Sequence, residues 1–315
     1  MSEVFNLALF QQTIRAATPV ILAALGCLMT QHVNITNIGI DGMMLIGAFF
    51  AVLGSFMCGS WAMGLLFAII LGVALGLFYY LLVIKFSSDE FIIGVALNLF
   101  AAGLTTFLLR TLPLFATGGK LASGSFKSPG IDPLPVIHIP LIKDIPILGE
   151  LLSGYSLLVY VSWALILLCW YFIYRTPWGF HLRAAGEHPE ALEASGKSPS
   201  RMKLSASVLC GILSCVAGAH LSLGYVTMFT ENMTNSRGYV AFACVIFGRG
   251  NPPRVFLAAL LFGFIDALGM NMQTYIPSDL TAMAPYLVTV VMMVAVVLWD
   301  RHKKARKAQV TAAKL

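Results

Sequence analysis

The sequence predicts an all-α polytopic membrane protein of about 8–9 transmembrane helices, with broken or re-entrant elements between them. Hydrophobic residues make up 58% of the 315 and charged residues only 11%, with a mean hydropathy of +0.84. Soluble domains have about a quarter of their residues charged. The apolar residues also gather in blocks of about 20, long enough as helix to cross a hydrocarbon core of about 30 Å. The ten-residue alternation that a membrane barrel requires is absent from the sequence.

Taken in order, spans are expected near residues 7–29, 36–57, 61–84, 91–110, 155–174, 204–225, 254–275 and 282–299. A shorter element at 238–248 penetrates the membrane without crossing comfortably on its own. The start "MSEVFNLALF" has neither a basic cluster before its apolar run nor a small-residue cleavage site, so no signal peptide is read there. The whole chain, 1–315, reads as one transmembrane domain with an outer loop at 111–154, an inner loop at 175–203 and a basic inner tail at 300–315.

Positive charge sets the sidedness. With the tail "RHKKARK" inside and the sides alternating, inner segments hold 14 Lys and Arg against five outside, and Arg15 falls within the first span. This arrangement places the N-terminus outside and the C-terminus in the cytoplasm. The formal net charge of +6 comes mainly from that tail, so it speaks to orientation and not to nucleic acid.

Two long connections stand out. The outer loop carries six prolines between Pro113 and Pro146, too many for a continuous helix. The inner loop contains "GEHPEALEASG". There Pro189 suits a first helical turn and Glu187 and Glu190 favour a helix N-terminus. A helix of about two turns is expected, flanked by glycine hinges at Gly186 and Gly196. Ala191 and Ala194, three apart, give it a face without bulk.

The two halves echo one another. Four spans precede the outer loop and four follow the inner one in the opposite sense. Each half leads from a span into a polar, helix-weakening patch, "VNITNIGIDG" and then "MFTENMTNSRGY". Inverted repeats with discontinuous helices are a recurring transporter plan.

The sequence carries no recognisable catalytic or metal motif. "ASGKSPS" lacks the first glycine of a phosphate loop, because Ala191 stands in its place, and "TGGKLA" lacks the Ser or Thr that would hold magnesium. No zinc-protease or serine-hydrolase motif appears, and the six histidines are scattered. The expectation is therefore not an enzyme, with no catalytic residue, no metal ligand and no cofactor on this chain. The six cysteines, all in or beside apolar blocks, read as buried small hydrophobes.

Against this background, "RAAGEHPEALEASGKSPSRMK" resembles the cytoplasmic coupling segment of ABC-importer permeases of the simple-sugar and nucleoside (ribose-type) branch. "ATPVILAALGCLMTQHVNITNIGIDGMMLIGAFFAV" and "LSLGYVTMFTENMTNSRGYVAFACVIFGRGNPPRVFLAALLFGFIDAL" are similar to two further blocks of the same family. The order is collinear from about 16 to 275. Family members often have Glu where Asp41 stands, and a typical sugar permease has an extra N-terminal helix.

The resemblance implies a permease subunit in a bacterial cytoplasmic (inner) membrane, importing nucleosides, with a simple sugar such as a pentose as the alternative. It implies a separate ABC ATPase that holds ATP and magnesium, and an extracytoplasmic binding lipoprotein or periplasmic protein that delivers solute. A second, different permease would pair with this chain, a homodimer being the alternative. Gly186, Glu187, Pro189, Ala191, Ala194 and Gly196 would form the ATPase-coupling helix.

Polar residues within the spans are costly and face cavities or partners. Arg15, Asn34, Asn37, Asp41, Asn98, Glu231, Asn232, Asn235, Arg237 and Asp266 are the candidates. For a neutral solute with a planar base, Asn37, Asn98 and Asn232 offer amides, while Phe49, Phe50 and Phe229 offer ring faces. Asp41 and Glu231 complete the expected pathway set. Asp266 is expected to pair with Arg15. A reading from a different class, an ion-coupled secondary transporter using Asp41, Asp266 or Arg15, remains open on the residues alone.

Overall fold

The computed structural model describes residues 7–116, 125–127, 131–138 and 153–273, and positions 287, 288, 290, 291 and 294. The expected span at 282–299 (those positions aside), the tail at 300–315 and most of the outer loop lie outside the described residues. Among the described residues, seven helical segments are long and apolar enough to cross a membrane. The chain is a polytopic, all-α membrane protein.

Four helices make up the first half: α1 (Leu7–His32), α2 (Ile40–Cys58), α3 (Trp61–Tyr80) and α4 (Glu90–Ala116). Helix α3 continues into a π-helical turn, Leu81–Lys85. After α5 (Leu157–Arg175) come α6 (Pro177–Glu187) and α7 (Pro189–Ala194), then α8 (Pro199–Ala219), which also ends in a π-helical turn, His220–Tyr225. Helices α9 (Arg237–Gly248) and α10 (Pro252–Met272) complete the described part.

Helix α1 is the centre. Every residue from Ala16 to Thr30 is buried, as a helix apolar on all sides must be. Pro19 lies inside it and has no N–H to give the Arg15 carbonyl. The His220 ring faces that carbonyl instead. Helices α8 and α10 pack on α1, α2 packs on α8, and the outer faces of α3, α4, α5 and α10 form a rim. Leu99, Phe91, Leu167 and Leu257 on the rim are each more than half exposed, which suits contact with lipid.

Within lipid, helices gain no hydrophobic drive toward each other, so close contacts fall at small residues. Gly47 of α2 lies on Cys215 of α8, and Gly218 of α8 lies on Met44 of α2. Gly72 and Gly76 of α3 meet Gly211 and Ser207 of α8, while Gly263 of α10 lies on Ala17 of α1.

The helix pairs obey an exchange. Helix α1 packs on α10 and α3 on α8; α2 touches α3 and α8, and α9 touches α10 and α1. Replacing α1, α2 and α3 by α8, α9 and α10 turns each pair into another that is present. This is the pairing that two repeats related by a twofold would produce.

The described pieces of the outer loop cap one end of the bundle. Strand β1 (Ser125–Phe126) pairs antiparallel with β4 (Phe229–Thr230), and β2 (Val136–Ile137) with β3 (Tyr155–Ser156). The Asp132 carboxylate accepts the Trp61 N–H at 3.0 Å, closing the start of α3. Ile131 and Leu134 are buried beside it.

Several expectations change. Helix α4 continues through Pro113 to Ala116, so the outer loop begins later than residue 111. The inner loop holds two helices rather than one. Thr176 caps α6 by accepting the Gly179 N–H at 3.2 Å, and Pro177 occupies its first position. Gly186 is therefore helical and not a hinge. Cys58 is exposed while the other five cysteines are buried.

Candidate functional site

The polar patch between the first two spans is a true break. Residues 33–39 leave the helix, and Asn34 takes a left-handed φ of 56°. Asn37 builds the turn: its Oδ1 accepts the Gly39 N–H at 2.9 Å, and its Nδ2 lies 3.3 Å from Cys210 Sγ. The side chain is 1% exposed and engaged at both ends. Thr36 is held through its carbonyl by the Tyr79 hydroxyl at 3.1 Å and through its N–H by the Glu90 carboxylate.

Helix α2 then starts in close contact with α4. A Cβ on Gly42 would come within 2.8 Å of the Leu97 carbonyl, so only glycine allows this approach. Asn98 Oδ1 accepts the Gly42 N–H at 2.7 Å, satisfying one of the free donors at the start of α2. Asn98 Nδ2 donates to the Ile38 carbonyl at 3.1 Å and to the Tyr239 hydroxyl at 2.8 Å.

Asp41, one residue earlier, serves the other half of the chain. Its Oδ1 accepts the Gly238 N–H at 3.0 Å and its Oδ2 accepts from Thr234 Oγ1 at 3.2 Å. The carboxylate of α2 thus caps the start of α9, where a negative charge is favoured. Gly238 makes this approach feasible, since its backbone rests on that of Asp41.

The depth of this junction follows from helix rise. Asn98 stands eight residues along α4 from Glu90, about 12 Å. Tyr239 stands nine residues along α9 from Gly248, about 14 Å. Both reckon from the end of the bundle where α1 finishes. The starts of α2 and α9 therefore meet near the middle of a core of about 30 Å.

The segment entering α9 is tightly wound. Thr227, Asn232, Asn235 and Ser236 all have φ between 43° and 62°, a region costly for residues other than glycine and asparagine. Glu231 accepts from Arg110 Nε at 3.3 Å, tying the far end of α4 to this segment. Asn232 is exposed. Phe49, Phe50 and Phe229 come together: Phe49 meets Phe50 at 5.3 Å and Phe229 at 5.1 Å, both edge to face. Phe49 and Phe229 are buried, and Phe50 is half-buried.

The expected Arg15–Asp266 pair does not form. Asp266 binds Arg237 Nη2 at 2.9 Å, joining α10 to the start of α9. Arg15 instead donates to the Gly154 carbonyl at 3.3 Å and lies over the Tyr155 ring.

At the end of the bundle where α1 finishes, α7 stands out from the protein. Glu187, Pro189, Ala191 and Ala194 are exposed, and Leu192 alone in α7 is buried. Gly196 stops the helix with φ 80°, its N–H reaching the Glu193 carbonyl at 2.9 Å. Gly186, at the end of α6, sits on the backbone of His32, Val33 and Asn34, where α1 gives way to the break. Nearby, Tyr174 donates to the Gly250 carbonyl at 3.3 Å, and the Arg183 guanidinium covers the Tyr174 ring.

Sequence reasoning missed Tyr239, Thr234, Gly238 and Asp132. The sequence patch "TNSRGY" held the first three, but their partners lie on α2 and α4 and leave no local signal. Helix α6 did leave one, a Thr-Pro start followed by apolar residues at Trp178, Leu182 and Ala185.

Broken helices meeting at mid-depth in a multi-pass bundle are a plan that recurs among membrane transporters. The chain belongs to the branched-chain amino acid transport system / permease component family, whose model matches residues 9–297. It is 31% identical over 274 residues to a putative glucose ABC transporter permease of Haloferax volcanii, covering 86% of this chain and 79% of the relative. It is 30% identical over 293 residues to the guanosine ABC transporter permease NupQ of Bacillus subtilis, covering 88% of each. The nucleoside ABC transporter permease NupC of Lactococcus lactis subsp. cremoris is 27% identical over 289 residues, again covering 88% of each. No solved structure matches the chain.

Proposed function

We propose that this chain is the membrane-spanning subunit of an ATP-binding-cassette importer that carries nucleosides into the cell. The carrying observation is the continuity from exposed α7, through Gly186 on the α1–α2 break, to Asp41 at the mid-depth junction. The similarity to permeases named for guanosine and for nucleosides supports the solute. In this reading α7 faces the cytoplasm and docks into a groove of a separate ATPase subunit. That ATPase holds the ATP and magnesium, since this chain has no phosphate loop in its sequence.

The N-terminus then lies outside and the C-terminus inside. A binding lipoprotein or periplasmic protein delivers solute at the end capped by the outer loop. Asp41, Asn98, Phe50, Glu231 and Asn232 stand along the path, with Asn37, Phe49 and Phe229 fixing its walls. A second permease, different from this one, covers the face carrying Glu231, Asn232 and Asn235. Polar, non-helical backbone at membrane depth requires protein or water against it.

A glucose importer is the second reading, favoured by the relative named for glucose. Reconstitution with the cognate ATPase, second permease and binding protein tests both. Uptake of labelled guanosine that stops when the ATPase is disabled supports the nucleoside reading. Uptake of glucose alone selects the second, and uptake by this chain alone, driven by a proton gradient, overturns both.

A further inference from the structure

The mid-depth junction holds one side chain whose hydrogen-bonding direction is set by the fold while one edge stays open. Gly42 N–H can only donate and the Ile38 carbonyl can only accept. The Asn98 amide, which bonds both, therefore has one orientation, Oδ1 toward Gly42 and Nδ2 toward Ile38. That same Nδ2 donates to the Tyr239 hydroxyl at 2.8 Å. The phenol oxygen is thus used as an acceptor, and its own hydrogen must point elsewhere.

Tyr239 is 42% exposed, on the first turn of α9. A phenol that donates toward lipid at this depth has no acceptor to meet, and an unmet donor in hydrocarbon is costly. A hydroxyl or carbonyl of a passing solute supplies one. The ring beside it adds a flat apolar face, which suits a solute that joins a planar base to a polyhydroxyl ring.

From this geometry we infer that Tyr239 is a specificity-determining contact of the transport path. It donates a hydrogen bond to an acceptor on the nucleoside, and Asn98 is the positioning residue that turns the hydroxyl outward. The inference rests on the nucleoside reading for its solute class, but the direction of the hydroxyl does not.

The test uses the complete complex in proteoliposomes, with labelled guanosine and, in parallel, labelled glucose. Tyr239→Phe keeps the ring and removes only the donor. The KM for guanosine uptake should rise about 3- to 10-fold, the worth of one neutral hydrogen bond, with a smaller change in maximal rate. Asn98→Asp keeps an oxygen for Gly42 but makes the facing atom an acceptor, so Tyr239 turns its hydrogen inward. It should raise KM similarly although the phenol is intact, and the double variant should be no worse than either single one.

A Tyr239→Phe complex with wild-type KM overturns the inference. So does a loss confined to maximal rate or to the amount of assembled complex, as a purely structural residue would give. If Asn98→Asp does not assemble, the Tyr239→Phe arm decides alone. Failure of the nucleoside reading shows differently, as a wild-type complex that imports glucose and not guanosine. The KM comparison then runs on glucose, whose hydroxyls also accept.

Discussion

Asp41 is the junction between the two halves, and its removal has a calculable cost. Asp41→Ala removes two acceptor oxygens, one from Gly238 N–H at 3.0 Å and one from Thr234 Oγ1 at 3.2 Å. Hydrogen bonds to a charged group contribute about 1.5–3 kcal/mol each, and the low end applies because the carboxylate keeps some solvent. A negative charge at a helix start adds about 0.5 kcal/mol. Relief of the carboxylate's own burial offsets about 1 kcal/mol, which leaves a net loss of about 2–3 kcal/mol. For a chain of this size the midpoint of thermal unfolding falls about 2 °C per kcal/mol, or about 4–6 °C. Asp41→Asn keeps one acceptor and should lose about 1 kcal/mol, near 2 °C. The assay is thermal unfolding of the purified protein in detergent at one fixed scan rate, since such unfolding is commonly irreversible. An alanine variant as stable as wild type would refute the capping role. An asparagine variant as damaged as alanine would show that charge, and not hydrogen bonding, holds α9.

Replacing Ala194 with Trp should leave the chain inserted and folded but separate ATP hydrolysis from uptake, since Ala194 is exposed and lies on the face of α7 proposed to dock on the ATPase. Normal uptake per ATP in that variant would remove the coupling assignment. Arg237→Met leaves Asp266 half-buried without its ion pair and should cost about 1–3 kcal/mol in detergent stability, between the exposed and buried extremes. Adding Asp266→Leu should restore most of that loss, and a double variant less stable than the single one would contradict it. Cys58 at the α2–α3 turn is the exposed cysteine. A membrane-impermeant maleimide should label it in intact cells, and labelling only after permeabilisation would reverse the proposed orientation.

The seven described spans were legible because twenty apolar residues in lipid have few alternatives to helix. The break at Val33–Gly39 was legible too, because Asn34, Asn37 and Gly39 weaken helix locally. What each polar group does there was not. Asn37 looked like a path-lining amide and proves to be the staple of a buried turn. Asp41 was read as a path or gate residue, and its carboxylate is engaged on the start of α9, almost two hundred residues away, a partner no local pattern could name. Arg15 and Asp266 were matched by charge alone. Their helices do pack together, but Arg15 points toward Gly154 while Arg237 reaches Asp266 first. Composition tells which residues need partners in lipid. The choice of partner depends on helix rotation, which apolar blocks of nearly uniform hydropathy do not encode.

The seat of Gly186 on His32, Val33 and Asn34 bears on how force is carried. Most helix contacts pass through side chains, which can yield by turning about a χ angle. Here two main chains touch with no side chain on the glycine between them, so the joint has almost no rotational slack. A displacement of α6 must be taken up by the peptide backbone of the break itself. That break, the seven residues from Val33 to Gly39, is itself pinned, by the Asn37 turn and by Tyr79 of α3 and Glu90 of α4 on Thr36. With no loose hinge between them, a push on α6 is passed to the start of α2, and through Thr36 to α3 and α4, instead of being absorbed on the way.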